Sequence, residues 1–279
     1  MDTLQIPVGE ETFDARVAGP ESGEVVLLLH GFPQTSWSWR SQLAALGAAG
    51  YRAVAPDQRG YSPGARPTEV ERYSIPSLVA DVMAIADEIG AHRFHLVGHD
   101  WGAAVAWQVA GRHQDRLKSL TILSVPHPKA FSRAIVGEDG SDQASRSSYV
   151  DFFRSDEAAA AFTQGGGEGL RNMYAMTGLT EDTEPYVEVL MQPGAMQGAL
   201  NWYRAASLTD ADTLGEITMP TMFVWSTEDP ALGPDAARWT AEYVQGPYRF
   251  EVFEGVGHWI AESEPERLNA LLLEHLGSV

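Results

Sequence analysis

The 279-residue chain contains no cysteine, which excludes disulfides and thiolate metal sites. It has no run of ~18 apolar residues of the kind that crosses a bilayer. His-Glu-x-x-His, a glycine-rich loop ending in Lys-Ser/Thr and the dinucleotide fingerprint are all missing, so no metal or other cofactor is expected. Positive charge is scarce: 19 Lys and Arg against 38 Asp and Glu leave a net charge of −19. Nucleic acids and anionic membranes would be repelled, and anionic substrates are mildly disfavoured. The simplest use of such a charge is a solvated, soluble surface. Met1 to Glu10 offers neither a basic start nor an apolar run, so no secretory signal is expected and a cytoplasmic location fits. Internal repeats and low-complexity tracts are absent too.

What the chain does have is alternation. The apolar runs Glu24 to His30, Tyr51 to Pro56, Phe94 to Gly98 and Leu117 to Val125 are short enough for buried parallel strands, and helical stretches separate them. Val79 to Ile89 carries apolar residues at helical spacing. This is the pattern of βαβ units, a mostly parallel sheet covered on both faces. It stops after His127. From 128 to 214 only helix-like stretches rich in Ala, Met and aromatics follow, interrupted by Gly165-Gly166-Gly167, which reads as a flexible connection rather than a phosphate cradle. Strands return at Thr221 to Trp225 and Tyr248 to Phe253, and a last helix is expected from Glu264 to Leu276. The expected architecture is an α/β core, 1–127 and 215–279, interrupted by a helical insertion, 128–214.

Gly98-His-Asp100-Trp-Gly102 follows one of the strands and opens a helix, Ala103 to Ala110. Its frame is that of a nucleophile elbow, in which small residues let a strand turn sharply into a helix and push the central side chain into a cleft. The helix amino terminus stabilises negative charge there. The residue in the nucleophile's place is aspartate. A carboxylate attacking an ester or amide would give an uphill anhydride, whereas at saturated carbon bearing a leaving group it forms an ester. An elbow aspartate therefore points to epoxides or alkyl halides. Any single aspartate is more often a solvated loop acid, but here strand, glycines and helix agree.

Hydrolysing that ester requires a base and an oxyanion hole. His258 follows the last strand and suits the base. Asp229 follows the preceding strand and could orient the imidazole; Glu228 is its rival, and the shorter side chain before Pro230 is preferred. Nucleophile, acid and histidine come in the chain order of α/β-hydrolases. Alone, His258 would read as an ordinary core or surface histidine. The loop His30-Gly-Phe-Pro33, with room for a cis bond before Pro33, supplies the Phe32 amide, which with that of Trp101 is the expected oxyanion hole.

At this point the segments 30–40 (HGFPQTSWSWR), 57–62 (DQRGYS), 98–102 (GHDWG) and 257–259 (GHW) resemble the α/β-hydrolase epoxide hydrolases. The resemblance covers both parts of the core and, more thinly, the insertion. It implies that the insertion is a helical cap, with two tyrosines that hydrogen-bond the epoxide oxygen and act as the acid for ring opening. Asn201-Trp-Tyr203-Arg204 matches the second cap segment closely. Tyr149, in 149–154 (YVDFFR), matches the first, although Arg154 stands where that family usually has glutamine; Tyr174 and Tyr186 are alternatives. A phenol of pKa ~10 donates without being ionised at neutral pH. Phe32, Trp37, Trp101 and Phe153 are expected to line a pocket for a hydrophobic epoxide, with Phe152, Met173, Met176 and Met191 as further lining. Each of these large residues alone is better read as packing between cap and core. An exposed apolar cap surface would support a homodimer.

Two other functions compete. Haloalkane dehalogenases resemble the same elbow, tryptophan included, but usually carry a polar residue where Phe32 stands. Haloacid-type relatives have arginines at the positions of Trp101 and Ala104. Halide release against diol formation separates these. A non-catalytic lidded ligand-binding protein would show a damaged triad, and nothing here is damaged.

Overall fold

The computed structural model describes residues 1–206 and 214–279. Among them an eight-stranded sheet runs in the order β1-β2-β4-β3-β5-β6-β7-β8. Its strands are β1 (Asp2–Val8), β2 (Glu11–Ala18), β3 (Val25–Leu29), β4 (Arg52–Pro56), β5 (Phe94–His99), β6 (Leu117–Leu123), β7 (Thr221–Ser226) and β8 (Tyr248–Phe253). From β4 to β8 neighbouring strands are parallel, while β1 and β2 form an antiparallel hairpin that docks on β4. That hairpin is not among the strands expected from the sequence.

The central strands are apolar on both sides because both sides are covered. Leu27 and Leu29 of β3 join the core on one face, and Val26 and Leu28 the core on the other. Helices α2 (Ile75–Glu88) and α3 (Trp101–Arg112) supply the first face with Leu78, Val82, Ile85, Val105 and Val109. The second is covered by α1 (Arg40–Ala48) and the last helix, Pro265–Gly277, through Leu43, Leu46, Leu268, Leu272 and Leu276. From β3 the chain goes to β4 on one side and then returns to β5 on the other. The carboxyl ends of β3 and β5 therefore flank a topological switch point, where open α/β sheets leave a crevice.

Between β6 and β7 the described residues contain helices and no strand: α4 (Pro128–Ile135), α5 (Gln143–Arg146), α6 (Tyr149–Arg154), α7 (Ala158–Met176), α8 (Glu184–Leu190) and α9 (Ala195–Ala205). Residues 207–213 of the expected insertion lie outside the described residues. The glycine cluster sits inside the span of α7, with Gly165, Gly166 and Gly167 at φ of 57°, 72° and 92°, so it breaks the helix axis. Phe162, Leu170, Tyr174, Tyr186, Trp202 and Tyr203 from these helices share one apolar cluster with the first face of the sheet. Trp202 Nε1 donates to the Arg59 carbonyl at 2.8 Å, and the Tyr174 hydroxyl to that of Pro33 at 2.7 Å. The remaining helices are α10 (Pro234–Trp239), α11 (Ile260–Ser263) and α12 (Pro265–Gly277).

Candidate active site

At the end of β5 the chain reverses at Asp100, whose φ of 52° and ψ of −123° are unusual for a residue with a Cβ. The glycines make that turn possible. A Cβ on Gly98 would lie 2.5 Å from the Gly102 carbonyl oxygen, and one on Gly102 only 2.2 Å from that of Leu29. Helix α3 starts at the next residue, so Asp100 stands at its amino terminus.

Opposite, at the end of β3, the loop carries a cis bond between Phe32 and Pro33. The Phe32 N–H donates to Asp100 Oδ1 at 2.8 Å, and the Trp101 N–H also bonds this carboxylate. Oδ2 faces His258, whose Nε2 is 3.7 Å away. On its other side His258 Nδ1 is bound by Asp229 Oδ2 at 2.7 Å, while Asp229 Oδ1 accepts the N–H groups of Ala231 at 2.8 Å and Leu232 at 3.1 Å. Asp229, not Glu228, is thus the acid that meets the imidazole. The ends of β3, β5, β7 and β8 converge on one point.

Burial is the first influence on the charges here. It raises the Asp100 carboxyl above its ordinary range, although His258 and the amides of Trp101 and Phe32 pull the other way. Burial alone would discharge His258. The carboxylates of Asp229 and Asp100 on either side of the ring outweigh it and hold His258 up at about 9. The carboxylates on either side thus favour the charged imidazole.

Above Asp100 lies a cavity of about 470 Å³, lined by Phe32, Tyr149, Phe153, Phe162, Tyr203 and Trp259 together with Asp100 and His258. The Phe32 ring packs edge-on against Tyr203 at 5.3 Å, and Phe153 touches both Tyr149 and Tyr203 at 5.0 Å. Burial pushes both phenols above their ordinary range, and the Asp100 charge adds to it. They are protonated at neutral pH. Tyr174 and Tyr186 spend their hydroxyls elsewhere, on Pro33 and Glu262. Phe152 and Met176 are exposed at the mouth, where Met173 also lines the wall.

Three expected lining residues fall outside the cavity wall. Trp37 lies in a short 3₁₀ turn, Ser36–Trp39, that aims its indole away, between the guanidiniums of Arg16 at 4.9 Å and Arg40 at 5.2 Å. Trp101 contributes its amide to Asp100, while its ring packs behind Tyr203 at 5.1 Å rather than on the cavity surface. Met191 is likewise outside the wall. Phe162, Asn172, Thr177 and Arg146 line it without having been singled out in the sequence, since none sits in a recognisable motif.

The family model described as alpha/beta hydrolase fold matches residues 24–265. The chain is 35% identical, over 304 aligned residues, to Epoxide hydrolase A of Mycobacterium tuberculosis, covering 93% of this chain and 92% of that protein. The crystal structure of Epoxide Hydrolase A from Mycobacterium thermoresistibile superposes with a TM-score of 0.82 at 31% identity, covering 99% and 98% of the two chains. A Bacillus megaterium epoxide hydrolase in complex with an inhibitor gives 0.89 at 25% identity, covering 98% of this chain and all of the other.

Proposed function

We propose, for a chain that belongs to the epoxide hydrolase family of the α/β-hydrolase fold, that epoxides are opened to vicinal diols through a covalent ester on Asp100. The observation that carries this is the asymmetric setting of that carboxylate. Oδ1 is held by the Phe32 amide at 2.8 Å, and Oδ2 points toward the cavity beside His258. One oxygen is anchored and the other is free to attack.

In the first half-reaction Oδ2 bonds to the less hindered epoxide carbon as the ring C–O bond breaks. The alkoxide takes a proton from Tyr149 or Tyr203, which the apolar wall keeps protonated until a stronger base arrives. Ester formation removes the Asp100 charge. His258 then keeps only one flanking carboxylate, its Nε2 proton passes through solvent to the tyrosinate, and the neutral imidazole is the base for the second half. Its Nε2 takes a proton from water, and the hydroxide adds to Asp100 Cγ. The negative charge develops on Oδ1, to which the Phe32 amide already donates, with the Trp101 amide on the same carboxylate. Collapse expels the diol oxygen, which takes the proton from His258. The carboxyl proton left on Asp100 returns to His258, so that both groups regain their charge.

The helices between β6 and β7 act in this scheme as the cap, bringing Tyr149 on α6 and Tyr203 on α9 over the nucleophile. The aromatic wall favours hydrophobic epoxides. A halide-releasing reaction would need a polar group near Phe32 to receive the anion; that position offers a ring packed among Phe153, Phe162 and Tyr203. The test is His258→Gln with styrene oxide, followed by intact-protein mass. The adduct should accumulate to one per chain. Absence of any adduct with a range of epoxides contradicts the scheme.

A further inference from the structure

Behind the triad runs a second buried chain of polar groups. The His258 carbonyl accepts from the Ile260 N–H at 3.0 Å and also meets His99 Nε2 at 3.0 Å. His99 Nδ1 contacts the Gln34 side-chain amide at 3.0 Å, whose other end bonds Glu262 Oε1. The Tyr186 hydroxyl, from α8, donates to the same carboxyl oxygen at 2.8 Å. The chain thus links helix α8 to the backbone of the general base.

Its donors and acceptors balance only with a proton to spare. A carbonyl cannot donate, so His99 Nε2 must carry hydrogen. If His99 is neutral, Nδ1 is then a lone pair. With Glu262 ionised, the Gln34 amide faces an acceptor on each side, and its oxygen must oppose either the lone pair or the carboxylate. One contact always fails. A single extra proton repairs it. Placed on Glu262, it bonds the Gln34 oxygen, and a half-turn of the amide presents N–H to His99 Nδ1. Placed on His99, it leaves the amide with its oxygen toward that ring. The surroundings choose between them. His99 is buried with its ring centroid 4.7 Å from that of His258, so a second cation there is opposed by burial and by that neighbour. Glu262 Oε2 is buried and meets no protein donor among the described residues, which disfavours an ionised carboxylate.

We infer that Glu262, in its protonated form and acting through Gln34 and His99, is a positioning residue that holds the backbone of the general base His258. The inference rests on His258 being that base. The groups facing Glu262 are Tyr186 of α8, Tyr174 of α7, Arg40 of α1, Gln34 of the loop after β3, and His258, with His99 at the end of β5 beyond Gln34. Arg40 is itself paired with Asp182 at 3.3 Å. Burial raises the Glu262 carboxyl to about 7, against the pull of Tyr186 and Arg40. As pH rises through that value the spare proton is lost, Gln34 turns its N–H to the carboxylate and its oxygen to His99, the ring hydrogen shifts to Nδ1, and the His258 carbonyl keeps only its Ile260 bond. The active form is the protonated one, so the ester-hydrolysis half-reaction should slow on the alkaline side.

The test compares the wild type, Glu262→Gln and Glu262→Leu, using styrene oxide and quenched-flow measurement of ester hydrolysis between about pH 6 and about pH 9. A glutamine supplies the N–H of the protonated acid at every pH. Glu262→Gln should therefore keep the wild-type rate near pH 6 and lose the alkaline decline. Glu262→Leu should be slower than the wild type near pH 6, by about tenfold for one lost hydrogen bond, and should show no alkaline decline. Difference infrared spectra should show a protonated carboxyl band in the wild type that titrates near neutrality and is missing from Glu262→Gln. The inference is overturned if Glu262→Gln declines with pH as the wild type does, or if Glu262→Leu hydrolyses at the wild-type rate near pH 6. In those cases an ester that still forms leaves the Asp100 scheme standing; if no ester forms in any variant, both fall.

Discussion

Gly31 and Asp100 approach so closely that a methyl group on the glycine would lie 2.2 Å from Asp100 Cβ and 2.4 Å from Oδ1. The loop after β3 and the elbow after β5 are fitted to each other at the proposed nucleophile, and the space between them is fully used. Gly31→Ala must move either the Phe32 amide or the carboxylate it holds. Overpacking of this kind costs about 1–3 kcal/mol in stability. Turnover should fall further than stability, by at least about 10², because an oxyanion donor is displaced. Urea unfolding beside kcat measures both; a stable variant with normal kcat would show that the contact is irrelevant to the site.

The proposed nucleophile must be ionised to attack, and burial raises the Asp100 carboxyl. The alkylation rate should accordingly be lost as pH falls through a value above an ordinary aspartate's ~3.9. Stopped-flow tryptophan fluorescence under single-turnover conditions reads this step. An acid limb at or below the ordinary value would mean that His258 and the two amides outweigh burial.

Tyr203→Phe keeps the ring that packs on Phe32, Trp101 and Phe153 and removes only the hydroxyl. Alkylation should slow by about 10²-fold or more, the usual worth of a positioned acid, while ester hydrolysis changes far less. Tyr149→Phe should follow the same pattern. Equal losses in both half-reactions would remove the tyrosines from the acid role.

Outside the cavity wall, Arg59 grips Asp81 through two hydrogen bonds of 2.6 Å, both residues nearly buried. Arg59→Met strands the Asp81 carboxyl and should cost about 3–5 kcal/mol in urea unfolding, with much of that recovered when Asp81→Leu is added. A single substitution as stable as the wild type would contradict the pairing.

How much of this could be read from the sequence depended on distance along the chain. Strands β3 to β8 were legible because each is a short apolar run bounded by loop residues. The β1–β2 hairpin escaped because its burial is sparse: Ile6, Phe13 and Ala15 are buried, among residues that are mostly exposed or half-buried. Asp100, Asp229 and His258 were marked by their places after strands, and the sheet brings those ends together. Trp37 lies close to the oxyanion loop in sequence, yet one 3₁₀ turn rotates it out to Arg16. Glu262 could not be seen beforehand. Its partner Gln34 is 228 positions away, and only the packing of α11 against the loop after β3 joins them.

The most direct measurement is a single turnover in heavy-oxygen water with enzyme in excess over styrene oxide. The glycol from that first cycle should be unlabelled at the new hydroxyl, and the peptide containing Asp100 should gain one heavy oxygen. A labelled glycol together with an unlabelled Asp100 peptide would mean that water attacks the ring itself and that no ester forms.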